Sequence, residues 1–287
     1  MFPILPILAT VAPAPSHKIP FHYLHEGMPL IMVPVAIEGQ GPFECIVDTG
    51  NSKAALLLSE SLASQLGLDQ TKFKASRGFT VDIEQRLRLG RIGRFEVAGI
   101  RVKDPEVAIA PALDQLTQRM GGLRIDGNLG YPFFKDYTLS LDYIHKTIEF
   151  SQEPATAQTI PITVSSSKPL IVVRVVANGK KLSFVLDTGA SMTCISKPAA
   201  AELGLIKGAD VPLNLGPGEK GYLSSLESLR VGSAEQHDVR VVAAPFLEAL
   251  GKEMRRKIDG VLGFNFWSKY RLVIDYPNQR LGFEAPK

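Results

Sequence analysis

The sequence predicts a mainly β protein made of two homologous β-barrel lobes related by a pseudo-two-fold axis, with few short helices. Three observations carry that expectation. Four segments recur in the same order in the two halves; short β-branched runs are broken by turn residues; and 20 Pro and 25 Gly in 287 residues suit many strands and turns better than long helices. A chain of this length buries a substantial core whether it folds as one unit or two.

Residues 1–27 read as an apolar, proline-interrupted leader. The opening "MFPILPILATVAPAPS" has no Lys or Arg before Lys18, so it lacks the basic start of a secretory signal. Pro13 or Pro15 would also follow the small residues Ala12 and Ala14, where such a signal would be cut. The expectation is a signal remnant on a periplasmic or secreted protein, with a cytoplasmic protein as the alternative. No apolar run reaches the roughly 18 residues that span a bilayer, so no integral membrane segment is expected.

The repeat sets the domain organisation. "FECIVDTGNS" (43–52) matches "LSFVLDTGAS" (182–191), and "LASQLGL" (62–68) matches "AAAELGL" (199–205), a short helix ending at Gly67 or Gly204. "IDGNLGYPFF" (125–134) matches "IDGVLGFNFW" (258–267), and "LSLDYIHKTIEF" (139–150) matches "LVIDYPNQRLGF" (272–283). This gives one lobe over 28–150, a Ser-, Thr- and Pro-rich linker over 151–168, and a second lobe over 169–287. Within each lobe, runs such as "IMVPVAI" (31–37) and "IVVRVVA" (171–177) lead into the turns "EGQG" and "ANGK", which are hairpin signals. Each lobe is expected to be mainly antiparallel with one or two short helices, and to carry its Asp-Thr-Gly on the turn after a buried strand.

Charge and side-chain chemistry narrow the function. The net charge of +3, from 32 basic and 29 acidic residues, is not concentrated anywhere, which argues against a nucleic-acid partner. Arg86, Arg88, Arg91 and Arg94 alternate as an exposed strand face would, and Lys252, Arg255, Arg256 and Lys257 close a short helix. Two cysteines cannot build a disulfide framework; Cys45 aligns with Phe184 and Cys194 with Ala55, so both are expected to serve as small apolar residues. His22 and His25 are the only closely spaced histidines, and neither an HExxH pattern nor a GxSxG elbow is present. No metal and no cofactor are expected.

The chemistry therefore falls to the duplicated Asp-Thr-Gly. An Asp on a sharp turn, followed by Gly50 or Gly189, lets the backbone approach and donate N–H groups to the carboxylate. One such turn is a structural turn by default. Two at equivalent positions would meet across a pseudo-two-fold axis, and two facing carboxylates cannot both ionise comfortably, so the pair holds one proton over a wide pH range. One group can then take a proton from water while the other protonates a peptide carbonyl.

In the paired DTG and in the apolar-apolar-Gly element of each half, Asn128-Leu129-Gly130 and Val261-Leu262-Gly263, the sequence resembles the aspartic peptidases of the pepsin and retropepsin superfamily. The resemblance covers about residues 28–287. The short lobes are most similar to a single-chain, retropepsin-like enzyme of bacterial type. It implies a retropepsin-like fold, an aspartic endopeptidase with Asp48 and Asp187 catalytic, and a peptide or protein substrate held between lobes and flap. It implies support of the catalytic loops by Thr49, Gly50, Thr188 and Gly189, with the threonines interlocked beneath the aspartates. Pairing within one chain implies a monomer.

Asn51 and Ala190 stand where pepsin-like members place a hydroxyl that hydrogen-bonds the carboxylate, which implies activity at mildly acidic to near-neutral pH. For the flap, the glycine-rich "LGPGEKGY" (215–222), with Gly216, Gly218, Gly221 and Tyr222, is the candidate in the second lobe, and the region around Gly78 in the first. Asp126 and Asp259 are read as turn or capping residues, and Asp142 and Asp275 as local partners, none of them catalytic. The alternatives are a catalytically silent, retropepsin-like binding module, a carboxylate-pair glycosidase, and two lobes that each pair with another chain.

Overall fold

The computed structural model describes residues 16–79, 84–156, 158–165, 168–213 and 220–284. Among these residues strands dominate, with three short α-helices in each half where the sequence suggested one or two. Each half is built on its own sheet, and a six-stranded sheet joins them.

The hairpins form where the turn residues predict them. Ile171–Ala177 and Lys180–Leu186 pair antiparallel through Asn178 and Gly179, at φ 45° and 80°, the left-handed pair that matches strand twist in a two-residue turn. In the first half Met28–Ile37 and Gln40–Val47 pair through Glu38 and Gly39, at φ 52° and 78°. The helix after each DTG loop is also locally encoded. Ser59 and Ser196 accept from the N–H groups of Leu62 (3.0 Å) and Ala199 (3.2 Å), and Gly67 and Gly204 leave the helices at φ 64° and 66°.

The lobes are less purely antiparallel than the sequence suggests. Gly127–Leu129 runs parallel to Gln40–Val47, and Gly260–Leu262 runs parallel to Lys180–Leu186. These parallel pairings lay the apolar-apolar-Gly element beside the strand that leads into its own Asp. The pairing also corrects one alignment. Cys194 lies opposite Val261 as Leu57 lies opposite Asn128, so Leu57, not Ala55, is its counterpart. The stretch from Gly50 to the helix cap Ser59 is longer than that from Gly189 to the cap Ser196, which shifts the register of the strand that ends each one. Neither cysteine is in a disulfide; Cys45 is buried and Cys194 half-buried.

The joining sheet has the order His17–Pro20, Thr147–Ser151, Thr138–Asp142, Arg271–Asp275, Arg280–Glu284, Thr159–Pro161. Its central pair, Thr138–Asp142 against Arg271–Asp275, is antiparallel, and each strand comes from the same repeat in its own half. An axis through that pair relates the two halves. Strands at 17–20 and 159–161 therefore take equivalent edge places, although one belongs to the segment before the first repeat and the other to the segment between repeats.

One apolar core runs through both halves and includes Val47, Phe134, Phe150, Phe184, Leu186, Phe266 and Trp267. Trp267, fully buried, sits in the short helix Phe264–Trp267, where the first half has Phe134 in Tyr131–Phe134. Trp267→Ala should cost about 3–5 kcal/mol of stability through the cavity it leaves. Denaturant unfolding measures this, and a loss below about 1 kcal/mol would show that the second half's core is not built on this ring.

Candidate active site

Each Asp ends a buried strand and begins a tight turn. Asp48 and Asp187 are 8% and 5% exposed, so both carboxyls are almost enclosed. The N–H of Gly50 donates to Asp48 Oδ1 at 2.7 Å and that of Gly189 to Asp187 Oδ1 at 2.8 Å. The N–H of Asn51 adds a second donor to Asp48 Oδ1 at 3.1 Å. The turns face one another across the axis, and the Asp48 and Asp187 carboxyls are in hydrogen-bond contact.

Both glycines are required by that approach. A Cβ on Gly50 would sit 2.7 Å from Asp187 Oδ1, and a Cβ on Gly189 would sit 2.9 Å from Asp48 Oδ1. Each turn thus leaves room for the carboxyl of the other half. This is a reason for glycine that the sequence, read one turn at a time, does not contain.

The threonines fix the two turns to each other. Thr49 Oγ1 accepts from the N–H of Thr188 and Thr188 Oγ1 from that of Thr49, both at 3.0 Å. The hydroxyls then donate across the axis, Thr49 to the carbonyl of Leu186 (3.2 Å) and Thr188 to that of Val47 (2.7 Å). All four groups are buried and reciprocally satisfied, so a shift of one turn against the other breaks several hydrogen bonds at once.

Burial raises the Asp48 carboxyl above its ordinary value. Hydrogen bonds from Asn128, Asp187, Gly50 and Asn51, in decreasing order, pull it back. Near the pair lie Tyr143 and Tyr276, both buried, from the repeated Asp-Tyr that ends the inner strands of the joining sheet. Burial holds both phenols well above their usual range, and charge on the dyad adds to this.

Not every expected residue reaches this cluster. Asn51 does not place its side chain on Asp48; its Nδ2 donates instead to Asn128 Oδ1 (3.0 Å) and to the carbonyl of Ala54 (3.2 Å). Asn128 makes the contact: its Nδ2 donates to Asp48 Oδ2 at 2.5 Å. Sequence reasoning read Asn128 as part of an apolar element and missed it. The available signal was a polar residue where the other repeat has Val261.

Asp126 and Asp259 lie away from the pair. Their carboxylates accept from the N–H groups of Glu44 (2.8 Å) and Ser183 (2.9 Å), tying the loop before the apolar-apolar-Gly element to the strand that leads to each DTG. They act across strands, not in a local turn. Asp142 accepts from the N–H groups of Ile144 and His145, as a local partner does; Asp275 accepts locally from the N–H of Asn278 but also from that of distant Ala155, at 2.9 Å.

The expected flap regions fall on two hairpins, Lys74–Phe79 with Glu84–Arg91 and Asp210–Pro212 with Lys220–Val231. Gly78 lies opposite Gln85 near the end of the first. Gly216 and Gly218 lie outside the described residues. Gly221 and Tyr222 lie within the second hairpin, and Tyr222 pairs with both Asp210 and Ala243, under the Lys207 ammonium at 5.6 Å from the ring centre. Tyr222 is thus a strand residue with a cation on its ring.

Among the described residues no cluster of three or more His, Cys, Asp or Glu side chains is arranged to hold a metal, and no helix is long and apolar enough to cross a membrane. The sequence model of the aspartyl protease family matches the chain over residues 33–133 and 173–266, one segment in each half and together more than half of the chain. Comparison with curated protein sequences returns no match.

Proposed function

This chain belongs to the aspartyl protease family, and on that premise we propose that it is an aspartic endopeptidase that hydrolyses peptide bonds with a water activated between Asp48 and Asp187. The observation that carries the reading is the cross-lobe construction of the pair. One carboxyl comes from each half, the two are in hydrogen-bond contact, and reciprocal threonine bonds lock their turns. Two carboxyls this close share a proton. One can take a proton from water as oxygen attacks the peptide carbonyl, and the other can protonate the carbonyl oxygen. Carboxyls in contact are also too close for a glycosidase pair, whose acids stand about 5 Å or more apart.

Both halves of the site come from one chain, which supports a monomer as the active species. The substrate is an extended peptide held by strand-like hydrogen bonds, with cleavage beside bulky apolar residues. The test is cleavage of a mixed peptide library by the wild-type protein across about pH 3 to 8, with the oligomeric state measured in the same buffer. The expected result is a bell-shaped profile centred at mildly acidic to near-neutral pH, unaffected by chelators. No cleavage at any pH would overturn the reading in favour of a binding module. An optimum below about pH 3 would overturn the expected pH range.

A further inference from the structure

The two halves of the site are wired differently, and the difference centres on Asn128. Asn128 lies opposite Ile46 on the strand leading to Asp48, as Val261 lies opposite Val185 on the strand leading to Asp187. Asn128 is 5% exposed, and an amide buried that far needs hydrogen-bond partners.

The direction of its bonds is fixed by the main chain. The N–H groups of Lys53 (3.1 Å) and Ala54 (3.5 Å) point at Asn51 Oδ1, and N–H groups can only donate. Asn51 must therefore turn its NH2 toward Asn128, where it meets Oδ1 at 3.0 Å and the main-chain oxygen at 3.3 Å. With its oxygen so engaged, Asn128 presents its own NH2 to Asp48 Oδ2. Asp48 thus accepts at both oxygens, from Gly50 and Asn51 on Oδ1 and from Asn128 on Oδ2. In the second half, Ala190 and Val261 occupy the places of Asn51 and Asn128, and neither side chain has an N–H or O–H to give.

We propose that Asn128 is a positioning residue that makes the dyad unequal, holding Asp48 as the carboxylate that takes the water's proton and leaving Asp187 as the carboxyl that protonates the substrate carbonyl. This rests on the endopeptidase reading above. The water's O–H bond breaks, its proton goes to Asp48, its oxygen bonds to the carbonyl carbon, and the Asp187 proton moves to the carbonyl oxygen. On collapse the C–N bond breaks, Asp48 returns its proton to the leaving nitrogen, and Asp187 recovers one from the diol. Donation to an ionised acceptor is the stronger kind of hydrogen bond, so Asn128 favours the charge on Asp48. Among the described residues Tyr276 faces both aspartates and Tyr143 faces Asp187, and both phenols stay neutral.

The test is a 13C NMR titration of wild-type protein labelled at the aspartate carboxyls, with the two signals assigned from Asp48→Asn and Asp187→Asn. The expected result is that Asp48 carries the larger change in the lower ionisation step and Asp187 in the upper. In Asn128→Val, the lower step and the acid limb of kcat/KM should both move up by about one pH unit, the order of one hydrogen bond to a charged group. A merely structural role for Asn128 would lower stability and leave the limb in place. The proposal is overturned if Asp187 titrates in the lower step, or if a folded Asn128→Val protein keeps the wild-type limb and titration. Should Asn128→Val not fold, the wild-type titration alone decides. If the wild type cleaves nothing, the endopeptidase reading fails, while the NMR order still decides where the charge sits.

Discussion

Asp48→Asn and Asp187→Asn are each expected to lower peptide cleavage by about 10²–10⁴-fold, because on the proposed mechanism each removes a group that exchanges a proton in the same step. The two variants should differ in stability. An amide at 187 replaces one of two facing carboxyls and relieves the cost of holding both in one enclosed site. An amide at 48 turns its NH2 toward the NH2 of Asn128, whose orientation the Asn51 chain fixes. Asp48→Asn should therefore be the less stable of the two by about 1–3 kcal/mol, the cost of a buried donor without an acceptor. Burial raises the Asp48 carboxyl pKa in the folded state. In the wild type that term favours folding below the unfolded carboxyl pKa of about 3.9 and is lost as pH rises through the higher folded value. Asp48→Asn should lack this term. Denaturant unfolding of the three proteins across the acidic range, beside peptide assays, measures both effects. Residual cleavage above about 1% in either variant would mean that the two aspartates do not act in one step.

Thr49→Val and Thr188→Val are expected to cost about 2–5 kcal/mol each, since each strands two buried main-chain groups. With Val at 49, the N–H of Thr188 and the carbonyl of Leu186 lose their partners; with Val at 188, those stranded are the N–H of Thr49 and the carbonyl of Val47. The shape is nearly unchanged, so the loss reports hydrogen bonding and not packing. Cleavage should fall as well, because the carboxyls depend on these bonds for their mutual placement. Thr→Ser keeps the hydroxyl and should stay close to wild type in both measurements. A cost under about 1 kcal/mol with unchanged kcat for both Val variants would show that the turns are held by other contacts.

Much of the architecture was legible because it is encoded locally. The hairpin turns at Glu38-Gly39 and Asn178-Gly179, the caps Ser59 and Ser196, and the helix ends at Gly67 and Gly204 each rest on a few neighbouring residues. The repeat extended that legibility, since two copies of one pattern imply two copies of one unit and an axis between them. The alignment of Cys194 failed where loops of unequal length intervene. The flap could be narrowed to two hairpins but not to a residue, and Tyr222 sits within a strand.

By itself, then, the sequence determined the chemical groups and their local frames: two Asp-Thr-Gly turns at the ends of apolar strands, in two similar lobes. Only the tertiary structure decided which polar side chains meet those groups. Asn51, three residues from Asp48, turns its amide away from the carboxyl, while Asn128, eighty positions along, reaches it. Thr49 finds its partner in Thr188, and Gly50 owes its missing side chain to Asp187, both from the other lobe. The reason is one of range and tolerance. A turn or cap is set by a few adjacent dihedral angles, whereas a hydrogen bond between distant residues depends on the packing of both lobes to within tenths of an ångström, which no local pattern records.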